Sequence, residues 1–156
     1  MADRSYVHLT VPAWAVPLVE ALDDSHESYD ESTIGTSVAW FGYAEVPGGQ
    51  LELLPILEEA GVPYNQQYDA GIEYGPGVDM SRPDREEFNW ESSTFANMVV
   101  EIASGGTPLL EGIAWLQRLR EAWPRPLTEY TTPPPQFQPV LDRVRAENAA
   151  HKASPE

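Results

Sequence analysis

Residues 36–61 read TSVAWFGYAEVPGGQLELLPILEEAG. Thr36–Val46 is dense in β-branched and aromatic residues and predicts the strongest strand of the chain. Pro47-Gly48-Gly49 ends it, because proline removes a ladder donor and glycine admits left-handed backbone. From Leu51 to Ala60 the apolar residues Leu53, Leu54, Ile56 and Leu57 follow a helical spacing, and Gly61 stops the helix. A strand, a turn and a helix in succession place the chain among proteins that mix both elements.

Working outward from this stretch, Tyr6–Val11 alternates loosely and predicts a strand, and Pro12–Leu22 predicts a turn running into a helix. Residues 25–32 (SHESYDES) are polar and aperiodic, as in a loop. Residues 62–83 start with strand character and continue as a long glycine- and proline-rich loop. Phe95–Ala103 predicts a further strand, Pro108–Ala122 a helix, Leu127–Thr132 a short strand and Gln138–Ala149 a last helix. Residues 151–156 (HKASPE) read as a flexible tail.

Four helix starts share one grammar: Pro17, Pro55, Pro108 and Pro139 are each followed three residues later by a carboxylate. Proline suits a first turn, whose N–H groups lack intrahelical partners, and the acid faces the positive end of the helix dipole. The expected fold is α+β: a single domain over residues 1–150, with one mixed or antiparallel sheet of three to five strands. About four helices lie mainly on one face of it.

Charge sets this chain apart. It has 156 residues and a net charge of -16. No Lys or Arg lies between Ser5 and Ser81, a stretch that holds thirteen carboxylates. Six of the nine basic residues lie from Arg118 onward. Like charges oppose compaction, so a fold that keeps them has a use for them or an environment that tolerates them. Direct contact with DNA, RNA or an anionic lipid surface is disfavoured, since each needs cations. The N-terminus lacks a basic region followed by an apolar run, and no stretch approaches the roughly 18 apolar residues of a membrane span. A cytoplasmic protein is expected.

Chemical motifs are scarce. The absence of cysteine removes disulfides, thiolate metal sites and thiol nucleophiles. His8, His26 and His151 are far apart and form no HExxH-type spacing, and Asp69 and Glu73 lack the alternation of a calcium loop. Gly71–Gly77 lacks the lysine of a phosphate-binding loop. No metal, cofactor or catalytic residue is therefore expected. Paired carboxylates beside the tyrosine-rich loop 64–74 leave open a small acidic enzyme or ligand-binding domain.

The remaining signal is recognition. Two segments mix carboxylates with tyrosine, a residue favoured in interfaces. One supplies Asp23, Asp24, Glu27, Tyr29, Asp30 and Glu31; the other supplies Tyr64, Tyr68, Asp69, Glu73, Tyr74 and Asp79. The tyrosines equally suit a core that the loop merely covers. Sixteen charges match roughly 27 Å of duplex DNA, against a radius of gyration of about 15 Å for a domain of this length. In charge, size and lack of catalytic motifs the chain resembles anti-restriction and anti-CRISPR proteins and the immunity proteins of nuclease toxins. That resemblance implies an inhibitor of a basic, nucleic-acid-acting protein such as a nuclease, working by charge mimicry.

Overall fold

β-Branched and aromatic residues alternate through Arg4–Pro12 (β1) and Val38–Pro47 (β3), which pair antiparallel at the middle of the sheet. The fold comes from a computed structural model, which describes residues 4–23, 28–72, 75–84, 88–91 and 125–154. The other strands are Glu31–Ile34 (β2), Tyr64–Tyr68 (β4), Gly77–Ser81 (β5) and Phe88–Glu91 (β6). They form one sheet of six strands in the order β2-β3-β1-β4-β5-β6. Every pairing is antiparallel.

The α-helices among the described residues are Val16–Asp23 (α1), Leu54–Glu59 (α2) and Phe137–Ala153 (α3). Strand period decides which face they cover. Val7, Leu9 and Val11 of β1 point the same way as their register partners Ala39, Phe41 and Tyr43 of β3 and Gln66 and Tyr68 of β4, and strand period adds Tyr64 to that face. All nine are buried, and the apolar ones share one cluster with Leu18, Val19 and Leu22 of α1, Leu54 and Leu57 of α2, and Phe137, Val140, Leu141 and Val144 of α3. The class is thus α+β, with the described helices against one face of an antiparallel sheet.

One irregularity keeps the pattern in phase. Ser5 pairs with Val46 and Val7 with Tyr43, so β3 carries an extra residue there. Glu45 takes the strain at φ 53°, a left-handed conformation. This bulge lets Tyr43 and Val46, three residues apart, both reach the core.

The proline grammar holds at the three sites described. Pro17, Pro55 and Pro139 all fall in the first turn of their helices. Pro108 and its helix, the strand expected at Phe95–Ala103, and Asp24, Glu27, Glu73 and Tyr74 lie outside the described residues.

Local differences have local causes. Leu127–Glu129 is a 3₁₀ turn, not a strand, following Pro126. The last helix runs on to Ala153, since Ala149, Ala150 and Ala153 favour it and His151 and Lys152 suit its negative end. Strands β2, β5 and β6 occupy segments that read as loop or mixed charge. β2 is exposed throughout, and β5 turns an aspartate to the core, so neither shows an apolar alternation.

Gly61 is held by two constraints. Its φ is +70°, and a Cβ there would lie 2.5 Å from Gln136 Nε2 and 2.8 Å from Pro134 Cγ. Gly61→Ala is expected to destabilise the fold by about 1–3 kcal/mol, read as a lower urea midpoint with unchanged slope.

Candidate functional site

The sheet brings the two acidic segments together around a residue that sequence reasoning passed over, Tyr6. Its phenol donates a hydrogen bond of 2.7 Å to Glu31 at the start of β2. On its other side, the Asp69 amide donates to the Tyr6 carbonyl at 3.0 Å as β4 ends. Asp30 is tied to the same end of the sheet, its amide donating to the Gly42 carbonyl at 2.8 Å. The hydrogen bond to Glu31, with partial burial and the charges of Glu31, Asp30 and Asp69, pushes the Tyr6 phenol up to about 12. Three carboxylates from two segments therefore act on one side chain.

Asp30, Glu31 and Asp69 are exposed, and no Lys or Arg among the described residues pairs with any of them. Three described arginines pair with other acids. Arg4 reaches Glu45 at 3.5 Å. Arg125 holds Asp84 at 3.0 Å and Glu129 at 2.9 Å, over the ring of Tyr130. Arg143 of α3 pairs with Glu59 of α2 and holds that carboxyl below its usual range by direct hydrogen bonding. The C-terminal helix thus neutralises an acid of the α2 side and, among the described residues, places no cation at the Tyr6 end of the sheet.

The other candidate residues have internal duties. Asp23 accepts the Tyr29 amide at 3.0 Å, closing the first loop on itself. Tyr29 packs edge-on to Phe41 and Tyr43 at the rim of the core. Tyr64 and Tyr68 lie in the core, the Tyr64 hydroxyl donating to Glu58 at 2.7 Å. Asp79, 4% exposed, accepts from Gln66 at 3.0 Å and Gln50 at 2.8 Å, while Gln66 accepts the Leu51 amide. This polar knot ties β4 and β5 to the turn before α2.

Comparisons with protein-family models, curated proteins and solved structures found no match. On the sheet face turned away from the core, Tyr6 and His8 meet at 4.8 Å between ring centroids, and His8 and Trp40 at 4.7 Å, both edge-to-face. Trp40 Nε1–H donates to His8 Nδ1 at 3.1 Å. Gly42 sits beneath this row. A Cβ on it would lie 2.1 Å from the Tyr6 hydroxyl, so only glycine lets the phenol cross β3 to Glu31. The signal in the sequence was the alternation of Tyr6, Val7, His8 and Leu9, which separates ring face from core face. What it lacked was the pairing of β1 with β3.

A cavity of about 250 Å³ opens beside Glu58, Gly61, Val62, Ser81, Arg82 and Pro83. Among the described residues that line it, Glu58 is the one carboxylate. The Arg82 guanidinium beside it donates to the carbonyls of Tyr64, Ser81 and Arg125 and to Asn65 Oδ1. Burial pulls its pKa down, opposed by Tyr130 and Asp84. Those contacts make it a tie between β4, β5 and the chain at Arg125.

Proposed function

We propose that the protein is an acidic, protein-binding inhibitor that blocks a basic, nucleic-acid-acting protein by charge mimicry, of anti-restriction, anti-CRISPR or nuclease-immunity type. One observation carries the reading: Asp30, Glu31 and Asp69 converge from two segments on one end of the sheet and stay exposed, with no cation paired to them among the described residues. Carboxylates gathered in this way add their potentials, as successive phosphates do along a nucleic-acid strand. A basic groove built for phosphates would be drawn to such a surface, with association faster at low salt. The rigid sheet beneath keeps the charges from spreading apart.

Affinity capture from the native host, with mass spectrometry, would identify the partner, and stopped-flow mixing would then measure its association. Converting Asp30 and Asp69 together to lysine is expected to slow association about tenfold or more at low salt and to flatten its salt dependence. Both residues are exposed, so the fold should survive. An unchanged association rate would remove this surface from the interface. Recovery of metabolic proteins alone would overturn the proposed partner class.

A further inference from the structure

We infer that the sheet face turned from the core, beside these carboxylates, receives an arginine of the partner, its guanidinium on the Tyr6–His8–Trp40 row and its charge toward Glu31, a contact that rests on the function proposed above. Strand period puts Tyr6 and His8 of β1, Trp40 of β3 and Glu31 and Thr33 of β2 on one face, since His8 opposes Gly42, Glu31 opposes Gly42 and Thr33 opposes Trp40. The three rings are half-buried, while Glu31 and Thr33 are exposed.

The Tyr6 hydroxyl, the Trp40 N–H and His8 Nδ1 are already used. Tyr6 donates to Glu31, and Trp40 donates to His8. Those bonds fix the rings before any partner arrives and leave aromatic surface as what they can offer. A prearranged contact loses little side-chain entropy on binding. Aromatic surface inside a negative field selects a cation, and indole is the strongest of these acceptors. A planar guanidinium can stack on a ring and still present its N–H edge to a carboxylate, which a lysine ammonium cannot do. The carboxylates alone would attract Lys and Arg alike, so the ring row makes the distinction.

The test uses nona-arginine and nona-lysine peptides, titrated at low salt into isotope-labelled protein and followed by NMR. Nona-arginine is expected to bind about threefold more tightly and to move the Trp40 indole and His8 ring resonances. Trp40→Leu keeps an apolar side chain and should abolish that preference while leaving nona-lysine affinity in place. Thr33→Arg, an exposed change opposite Trp40, should weaken nona-arginine binding if the leucine variant does not fold. Equal affinities with an unmoved indole resonance would overturn the arginine contact and leave charge mimicry standing. Binding of neither peptide would overturn both.

Discussion

Arg82→Met should destabilise the protein by about 3 kcal/mol or more, the largest effect expected of any single substitution outside the apolar core. Arg82 is 4% exposed, and its donors serve four acceptors at 2.8–2.9 Å. Methionine fills part of the volume and leaves those oxygens without their donor, each at a cost of about 1–3 kcal/mol before relaxation. The losses will not add fully, because water can reach some of these groups from the neighbouring cavity. Against a typical total of about 5–15 kcal/mol, even the low end is a large share. Arg82→Lys should rescue little, since one ammonium cannot span acceptors arranged for a fork. Urea denaturation followed by circular dichroism measures both variants. A midpoint for Arg82→Met equivalent to a loss below about 0.5 kcal/mol would show that Arg82 is not the tie described.

The second large effect is chemical. Tyr6 should titrate at about 12, later than a free phenol, because it donates to Glu31 within a negative field. The unfolded chain gives up this proton near 10, whereas the folded chain holds it to about 12. Unfolding in that window releases a proton, so this contribution to stability is complete below pH 10 and is lost as the pH rises toward 12. Gly42→Ala places a methyl group where the hydroxyl lies, and should send Tyr6 back toward an ordinary phenol. Glu31→Gln keeps an acceptor but removes the nearest charge, and should lower the titration point by less. The Tyr6 ¹³Cζ resonance reports each case directly. An ordinary titration point in the parent protein would mean that Tyr6 does not sit among these carboxylates.

Some of this was legible in the residues alone. β1 and β3 announce themselves through alternation or β-branched content, β4 only as strand character at the start of residues 62–83, and α1, α2 and α3 through proline at the first turn and apolar spacing. β2 and β5 did not, because an exposed edge strand and a strand with aspartate facing the core carry no apolar period. The acidic loops were visible as composition, but composition could not separate Asp30 and Asp69, which stay exposed, from Asp79, which is bonded to Gln66 and Gln50 inside. Tyr6, His8 and Trp40 were read as strand residues, since 32 positions separate the two ends of the Trp40–His8 bond.

The sequence by itself determined the elements with an apolar pattern, the grammar of the helix starts and the excess of negative charge, because these depend on neighbours a few residues apart. Tertiary structure alone decided which charges remain in water and which meet. Strand pairing sets distances between residues remote in the chain, and one alternation sends Val7 to the core while turning Tyr6 toward Glu31. The anionic end of the sheet exists because β1 lies between β3 and β4, and no local pattern records that order.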